Sequence, residues 1–590
     1  MTAADSRLSY RKSLPQAVYK RISSSLKGWK GTMTIRYAQP RSQLPEALNP
    51  EGYTSLLDFF DRTCRKFASR PAFTSFGRTL SYAELDRLSA AFAVHLQQET
   101  DLQPGDRIAI QLPSLIQYPV AIFGALRAGL VVVNTNPLYT AQEMARQFKD
   151  SGARAVLIHK SMAHKLEGIL DQTDIEHVYV TQVGDLHGFV KRTLLNVAIK
   201  YLRKLEPDFY LPGAKGFRDV LLGNLGRQPK TMNPGLDDLA VLQYTGGTTG
   251  VAKGAMLTHG NLLANLLQGC DCINREGTDW AETVILPLPL YHIYAFTVSQ
   301  IVLASGGHAV LIANPRDIDA LIKELKQWSM STFIGLNTLF NALCGRPDFR
   351  DLDFSGLKLT LSGGMALTED AARRWQSVTG CPVVEAYGLT ETSPAVSINP
   401  LNAVQPGTIG VPLSFTEVSI IDESGRRVQP GEAGKLCIRG PQVMAGYWQR
   451  PDETARCMTD DGYFITDDIA IEQDDGYLRI VDRAGDLINV SGFNVYPNEI
   501  ENVLSDHPAV NECAAIGVPD DDSGERVKVF VVAGEPGLDR AQVRSWCRER
   551  LTAYKVPRDV EFVDELPKTP VGKVLRRALR APLEKTGAAR

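Results

Sequence analysis

Apolar and polar positions alternate along this 590-residue chain with two different periods, and the alternation predicts its secondary structure. Across residues 53–479, stretches with apolar side chains at helical spacing are separated by short β-branched runs, such as residues 107–112, 155–158 and 308–312. Helices that alternate with short strands are typical of βαβ units in a mostly parallel sheet covered by helices. The pattern therefore predicts a large α/β domain.

The last third of the chain has a different pattern. Gly- and Asp-rich turns at residues 423–425 and 474–476 predict the hairpins of an added β subdomain. Strand-like runs at 513–518 and 527–532, followed by a helix-like stretch, predict a separate small α+β domain. The predicted division is an extension over 1–48, a large N-terminal domain of mixed sheets covered by helices over 49–484, a small C-terminal domain over 485–580, and a tail over 581–590.

Two segments combine basic and apolar residues, and each has two interpretations. Residues 1–49 carry nine Lys or Arg against Asp5 and Glu46, which suits either a solvated tail or a segment attracted to anionic lipid. Between residues 190 and 205, apolar side chains recur at helical spacing and the basic ones fall mostly on another face. That pattern suits either a surface helix packed on the core or a helix at a membrane interface. The sequence leaves both questions open.

Composition and charge narrow the class of protein. A net charge of −3 excludes a whole-chain attraction to nucleic acid. The nine cysteines are scattered from Cys64 to Cys547, which suits neither a disulfide framework nor a four-ligand zinc site and favours a reducing, cytoplasmic location. The longest apolar run, residues 118–133, is shorter than the roughly 20 residues of a membrane-spanning helix. The first residues lack the apolar stretch of a secretory signal, so we do not expect export.

The strongest local signal is the run Tyr-Thr-Gly-Gly-Thr-Thr-Gly-Val-Ala-Lys-Gly at 244–254, directly after an apolar strand-like segment. Glycines let backbone N–H groups turn towards a phosphate chain, and threonine hydroxyls and a lysine add further donors. The run differs from a Walker motif because Lys253 is followed by Gly254 instead of Ser or Thr. The residues predicted to hold a triphosphate are Thr245, Gly246, Gly247, Thr248, Thr249, Gly250 and Lys253.

Five further motifs follow in order along the chain. They are Pro-Leu-Pro-Leu-Tyr-His at 287–292, Leu-Ser-Gly-Gly-Met-Ala-Leu at 361–367, Ala-Tyr-Gly-Leu-Thr-Glu-Thr-Ser-Pro at 386–394, the long motif at 482–501, and Lys-Thr-Pro-Val-Gly-Lys at 568–573. With the glycine–threonine run, they make residues 50–580 resemble the adenylate-forming acyl-CoA synthetases, a family that includes bacterial long-chain fatty-acid CoA ligases, coumarate ligases and luciferases. The glycine–threonine run and residues 493–499 look most like the bacterial long-chain branch.

The resemblance implies a two-step ligase that uses ATP, Mg²⁺ and coenzyme A. A fatty acid and ATP would give an acyl-adenylate and diphosphate, and coenzyme A would then give acyl-CoA and AMP. Because the first step brings a carboxylate to a polyphosphate, a metal and fixed donors must neutralise the charge. Thr245 and Glu391 are the candidate Mg²⁺ ligands. Activation of shorter or aryl acids, transfer to a carrier-protein thiol, and a weakly catalytic lipid-binding role all stay open, as does the oligomeric state.

The resemblance also assigns roles to individual residues. Asp468 would bind the ribose hydroxyls, Arg483 the nucleotide, and His292 would lie near the reacting carboxyl group. Lys573 would bridge the substrate carboxylate and the α-phosphate during adenylation. The remaining nucleotide contacts comprise an adenine slot, Thr390 at the α-phosphate, and Gly388. The residues of the adenine slot are Gly363, Gly364, Glu385, Ala386 and Tyr387. Ser491 and Gly492 are the predicted contacts of coenzyme A.

A mobile C-terminal domain is a further implication, because the thiol must enter where Lys573 stood. The domain would turn about a hinge near residues 483–486. Gly485 replaces the usual Lys or Asp of the family there and should ease rotation, whereas Asp467 replaces a glycine and adds a carboxylate beside the nucleotide. Asn489 and Ser491 stand where related ligases often have lysines, so the contacts there differ from the family pattern.

Overall fold

The computed structural model describes residues 44–203, 205–245, 252–274, 283–490, 493–520, 523–569 and 572–580. Most of the predicted N-terminal extension, the tail over 581–590, residues 246–250 of the phosphate run, and both predicted coenzyme A contacts, Ser491 and Gly492, lie outside these ranges. Among the described helices, we find none whose length and apolar character would suffice to cross a bilayer.

The described helices carry their hydrophobic residues mainly at core-facing positions. They are α1 Leu56–Lys66, α2 Tyr82–Gln98, α3 Gln117–Arg127, α4 Ala141–Ser151, α5 Ala163–Glu167, α6 Phe189–Val197, α7 Phe217–Asn224, α8 His259–Asn274, α9 Ile293–Ala304, α10 Ile318–Leu325, α11 Asn337–Cys344, α12 Pro347–Arg350, α13 Glu369–Thr379, α14 Pro451–Cys457, α15 Pro497–Ser505 and α16 Arg540–Arg548.

The strands of the described ranges are mostly short and buried. They are β1 Pro71–Ser75, β2 Arg78–Ser81, β3 Arg107–Gln111, β4 Val131–Asn134, β5 Ala153–His159, β6 His177–Thr181, β7 Lys215–Gly216, β8 Leu239–Thr245, β9 Lys253–Thr258, β10 Thr283–Leu286, β11 His308–Leu311, β12 Thr332–Gly335, β13 Leu359–Gly363, β14 Val383–Gly388, β15 Ala395–Ile398, β16 Val411–Pro412, β17 Glu417–Ile421, β18 Ala433–Arg439, β19 Phe464–Glu472, β20 Leu478–Arg483, β21 Ile488–Val490, β22 Phe493–Val495, β23 Val510–Asp520, β24 Gly524–Ala533 and β25 Asp559–Phe562.

Two large sheets form the main body. One has the order β7-β6-β5-β3-β4-β8-β9 and is parallel except for β9. The other has the order β16-β15-β14-β13-β12-β10-β11-β1-β2, and its strands from β14 to β1 are parallel. The predicted α/β class with a mostly parallel sheet is therefore confirmed. Ligands of such sheets bind at the carboxyl ends of strands, where β8, β13 and β14 carry predicted site residues.

Two smaller sheets complete the fold. The antiparallel sheet β17-β18-β19-β20 is the predicted β subdomain. The C-terminal sheet has the order β22-β21-β24-β23, with β25 parallel to β24, and packs against α15 and α16. This last unit has its own apolar core, which includes Val490, Ile500, Val529 and Val543. An independent core is what allows such a unit to move as a body.

Candidate active site

The phosphate run connects two paired antiparallel strands. β8 ends at Thr245, β9 begins at Lys253, and these two residues lie opposite each other. The ammonium group of Lys253 forms an ion pair of 2.5 Å with Glu453 and lies 5.1 Å above the ring centre of Tyr447. The predicted phosphate contacts of residues 246–250 stay predictions, but both ends of the run are fixed by the sheet.

The Glu391 carboxylate lies beside this run. It is carried by the short 3-10 turn Thr390–Thr392, which follows β14 and packs on β8 and β9. The hydroxyl of Tyr447 donates to Glu391 Oε1 at 2.7 Å, and Tyr447 itself pairs with Ala255 of β9. Burial raises the pKa of Glu391, and the Tyr447 hydrogen bond opposes that rise. The half-buried Glu391 carboxylate and the Thr245 hydroxyl are hard oxygen donors that fit Mg²⁺, whose charge would offset the desolvation.

Asp468 and its neighbours form the predicted ribose contact. Asp468 lies opposite Arg483 in the β19–β20 pair, and the two side chains are 3.3 Å apart. The Tyr387 hydroxyl donates to Asp468 Oδ2 at 2.6 Å, so Tyr387 is fixed at its outer end. Burial is the main reason why the pKa of Tyr387 lies well above its ordinary value, and the negative charge of Asp468 is the second reason. The structure thus brings the predicted adenine and ribose residues together.

The residues of the predicted adenine slot lie at the carboxyl ends of the paired strands β13 and β14. Gly363 pairs with Ala386, and a Cβ added at Gly363 would lie 3.1 Å from the Ala386 carbonyl oxygen and 3.2 Å from the Tyr294 ring. Glu385 is buried and accepts a hydrogen bond of 2.9 Å from the Leu367 N–H, and burial raises its pKa to about 8. A neutral carboxyl group at that point can donate as well as accept hydrogen bonds.

Two other glycines of the predicted set have different structural reasons. Gly364 has a φ of +88°, a left-handed conformation that glycine adopts most easily. At Gly388 a Cβ would lie 2.0 Å from the Pro394 carbonyl oxygen, so no side chain fits there. Packing of the protein against itself is therefore a sufficient reason for Gly388, independent of any nucleotide contact.

Lys573 enters the same cleft from the C-terminal unit. Its turn is closed by hydrogen bonds from the N–H groups of Gly572 and Lys573 to Thr569, and Gly572 packs so closely that a Cβ would lie 3.2 Å from Thr338 Oγ1 of the main body. Burial lowers the pKa of Lys573 to about 8, with a further contribution from the Arg483 charge, while Asp468 opposes the shift. Lys573 therefore lies within electrostatic range of both nucleotide-binding candidates.

His292 also lies within electrostatic range of Lys573. It caps the N-terminus of α9, where its Nδ1 accepts a hydrogen bond of 3.3 Å from the Tyr294 N–H. Burial, and to a lesser extent the Lys573 charge, lowers the pKa of His292 to about 4. The ring is therefore neutral at pH 7, and because Nδ1 accepts, the proton is on Nε2. An Nε2–H group beside Lys573 can donate to a carboxyl oxygen.

The predicted hinge lies between two sheets. β20 ends at Arg483, and β21 begins at Ile488 after the 3-10 turn Ala484–Asp486. Asp486 forms ion pairs with Arg576 at 3.1 Å and Arg580 at 3.2 Å, so the turn is tied to the C-terminal unit. At Gly485, which is exposed, a Cβ would meet no atom within 4 Å.

Two of the other departures from the family pattern, Asp467 and Asn489, are exposed, and the third, Ser491, lies outside the described residues. Asp467 lies next to Asp468 and its charge raises the pKa of Glu391, so it is part of the electrostatic environment of the candidate metal site. The Asn489 N–H donates to Glu525 at 2.7 Å, which holds this part of β21 within the C-terminal sheet.

Sequence reasoning missed several residues that hold the site together. Tyr447 and Glu453 position Glu391 and Lys253, and Thr338 contacts the Lys573 turn. The signal for Tyr447 and Glu453 is the motif Met-Ala-Gly-Tyr-Trp-Gln-Arg-Pro-Asp-Glu at 444–453, in which a tight glycine turn precedes a helix with Pro at its first position. Nothing in the sequence around Thr338 indicates a contact with a residue more than 200 positions away.

Comparisons with known proteins agree with this geometry. Residues 60–448 match the AMP-binding enzyme family, and residues 499–573 match the AMP-binding enzyme C-terminal domain. A long-chain-fatty-acid–CoA ligase of Escherichia coli O157:H7 is 49% identical over 543 residues, which cover 91% of this chain and 96% of that protein. The chain belongs to the AMP-binding enzyme family, as its motifs predicted.

Two solved structures share the fold. ATP-bound MatB from Rhodopseudomonas palustris is 30% identical, with a TM-score of 0.77 over 90% of this chain and 99% of that chain. The anthranilate CoA ligase AuaEII in complex with anthranoyl-AMP has a TM-score of 0.81 at 24% identity, over 91% of this chain and 98% of that chain. The similarity to AuaEII shows the fold alone, and that to MatB extends over both units of the chain.

Proposed function

We propose that this protein is an AMP-forming fatty-acid–CoA ligase with a preference for medium or long chains. The observation that carries the proposal is the delivery of Lys573 by the C-terminal unit into a cleft that already holds Asp468, Arg483 and His292. A cation beside a ribose-binding pair and a neutral imidazole is the arrangement that adenylation of a carboxylate needs. The names of the ligases that are nearly half identical to this chain support fatty acids as the substrate class.

Adenylation is the first proposed half-reaction. The ribose is held by Asp468 and Arg483, while Lys573 draws the fatty-acid carboxylate and the α-phosphate together. The Nε2–H of His292 orients the carboxylate. Mg²⁺, held by Thr245 and Glu391, would neutralise charge on the polyphosphate. The predicted run at 245–253 binds the leaving diphosphate. Lys253 would then leave its ion pair with Glu453 and contact phosphate oxygens.

Thioester formation is the second proposed half-reaction. The C-terminal unit turns about residues 484–486, withdraws Lys573, and opens the cleft to the thiol of coenzyme A. Arg373 of the main body and Asp506 of the C-terminal unit form an exposed ion pair of 3.3 Å, and exposed ion pairs exchange with water at little net free energy. Beside the hinge, the Asn498 N–H donates to the buried Asp482 at 2.9 Å, so the proposed turn has to exchange this contact as well.

Diphosphate release is the direct test of this function. Purified protein with Mg²⁺, ATP and a panel of acids from butyrate to oleate, with coumarate added, should release diphosphate only when both ATP and an aliphatic acid are present. Formation of acyl-CoA in the same samples identifies the acceptor. No release from folded protein with any acid would refute ligase activity and favour lipid binding without catalysis, whereas release with coumarate alone would refute the fatty-acid substrate.

The proposal includes a place for the enzyme in the cell. The nine cysteines all lie in the described ranges and none forms a disulfide bond, which agrees with a reducing compartment, and a fatty-acid substrate is concentrated in membranes. We therefore place the enzyme in the cytoplasm, in peripheral contact with an anionic membrane surface.

A further inference from the structure

Residues 189–202 form a surface helix, and large apolar side chains on it and just after it are exposed. α6 continues into a π-helical turn at Ala198–Leu202, and none of the residues of either segment is buried. Six large apolar side chains are 58–80% exposed: Phe189, Val190, Leu194, Tyr201, Leu202 and Leu205. Monomeric proteins rarely expose so many contiguous apolar groups without a partner.

Polar side chains supply the hydrogen bonds that join α6 to the protein. Asn196 Oδ1 accepts a hydrogen bond of 2.9 Å from the Gly184 N–H, and Lys191 donates to the Gly77 carbonyl oxygen at 3.2 Å. The apolar Leu195 is half-buried, but the six large apolar side chains are exposed, whereas an ordinary surface helix places its apolar stripe on the core. The first interpretation of this segment, a helix packed on the core by its apolar residues, is therefore wrong for the six exposed side chains.

The charges of the segment specify the kind of partner. Residues 188–205 contain five basic residues and no acidic one: Lys191, Arg192, Lys200, Arg203 and Lys204. Lys200 pairs at 3.0 Å with Asp208, an acid just beyond the segment, and the guanidinium of Arg192 lies 5.5 Å above the Phe189 ring. A helix that is both apolar and strongly basic matches the interface of an anionic bilayer, which offers acyl chains and phosphate groups together.

The same charges argue against two other partners for this surface, a second copy of the protein and the N-terminal segment of its own chain. A second copy seated on this face would bring two sets of five basic residues together, and like charges repel. The chain's own residues 1–43 carry nine basic residues and only Asp5 as an acid, so they are equally poorly matched to it.

The position of the helix relates it to the active site. α6 follows β6, and β6, β5, β3, β4 and β8 are successive parallel strands, so the helix and Thr245 lie at the same edge of the sheet. Four spacings of about 4.8 Å separate β6 from β8, which gives roughly 19 Å along the sheet. A protein docked through this helix keeps the edge with its active site near the surface on which it docks.

We propose that residues 189–203, together with Leu205, are a docking surface for an anionic lipid bilayer. The exposed apolar side chains enter the headgroup region, and the basic side chains contact lipid phosphates. The inference deepens the membrane contact of the proposed function and rests on it, but it does not depend on the ligase chemistry. Vesicle binding and turnover on a water-soluble short-chain acid therefore test the two separately.

Co-sedimentation of the full-length protein with vesicles tests the apolar part. The double variant Phe189→Ser/Leu202→Ser should bind vesicles of phosphatidylcholine and phosphatidylglycerol at least about tenfold more weakly than the wild type. The control Leu138→Ser/Leu222→Ser, at two exposed leucines outside this surface, should bind like the wild type. Turnover on the soluble acid should stay unchanged in both variants. Equal binding by the helix variant and the control would overturn the proposal.

The charge part needs a separate pair of variants. Lys200→Gln/Arg203→Gln should weaken binding at low salt, by roughly fivefold for each charge removed, and the loss should shrink as salt is added. The control Lys323→Gln/Lys326→Gln removes two exposed lysines from the region of α10 and should have no such effect. Equal binding to vesicles of phosphatidylcholine alone would overturn the requirement for an anionic surface.

Further measurements test whether the helix inserts into the bilayer and whether a second copy of the protein or the N-terminal tail accounts for the exposed surface or for vesicle binding. A Phe189→Trp variant should show a blue-shifted emission with anionic vesicles, and an unshifted spectrum would overturn insertion. Sedimentation velocity should show that the Ser variants keep the oligomeric state of the wild type. If they dissociate a wild-type dimer and still bind vesicles normally, the face belongs to a second copy. If deletion of residues 1–43 abolishes vesicle binding while the Ser variants retain it, the tail is the docking element and the proposal fails.

Discussion

Replacement of Lys573 by methionine should separate the two half-reactions. Burial and the Arg483 charge lower the pKa of Lys573 from 10.5 to about 8 in the absence of substrate, which corresponds to about 3 kcal/mol against its charged form. Anionic substrate groups offset this penalty when they are bound, so the cation interacts mainly with the reacting complex. Loss of one such fixed charge donor lowers the rate of a charged transition state by about 100-fold to 1,000-fold.

Two assays measure the steps of this prediction. Exchange of labelled diphosphate into ATP in the presence of fatty acid reports adenylation, and release of AMP from supplied acyl-adenylate and coenzyme A reports thioester formation. In Lys573→Met, the rate of adenylation should fall by about 100-fold to 1,000-fold, and the rate of thioester formation should stay within a few-fold of that of the wild type. Lys568→Ala is the matched control, because Lys568 is on the same turn but pairs at 2.5 Å with Glu512 inside the C-terminal unit.

An equal loss of both half-reactions in Lys573→Met would refute the reasoning, since it would mean that Lys573 stays in the cleft throughout. A similar loss in Lys568→Ala would show that the turn, and not the cation, is what adenylation requires.

Three other predictions follow from the same site. The kcat/KM of adenylation should fall above about pH 8, because Lys573 loses its proton there. An active Lys573→Arg variant keeps its charge, so its pH profile should lack this alkaline fall. Tyr447→Phe removes the hydrogen bond to Glu391 and should raise the Mg²⁺ concentration for half-maximal activity roughly tenfold. As the control for folding, the melting temperature of this variant should stay close to that of the wild type. Deletion of residues 1–48 should lower salt-sensitive liposome binding without altering turnover on soluble substrate; unchanged liposome partition would exclude the tail from lipid contact.

Local sequence was sufficient where a single strand and its following turn make the structure. The apolar run before Thr245 becomes β8, and the alternation of helices and strands becomes two mostly parallel sheets. The family motifs also identified Asp468 and Arg483, which the structure places opposite each other on neighbouring strands. Such pairs are close in sequence, so the hairpin between them fixes their distance.

Contacts between distant segments could not be predicted in the same way. Lys253 pairs with Glu453 and Tyr447 holds Glu391, but sequence separation of 200 and 56 residues leaves no local pattern that relates them. The periodicity of residues 190–205 predicted an amphipathic helix, yet periodicity does not state which face points outward. The side that packs is decided by Asn196 and Lys191, whose partners Gly184 and Gly77 belong to other elements.

The position of Arg483 has a consequence for the fate of the reaction intermediate. Arg483 is the last residue of β20 and contacts Asp468, and the predicted hinge turn starts only after it. The proposed rotation about that turn would leave the Asp468–Arg483 contact in place while Lys573 departs. The mixed anhydride of the proposed first step would then stay on the stationary part of the enzyme and reach the thiol without release into bulk water, where it would hydrolyse.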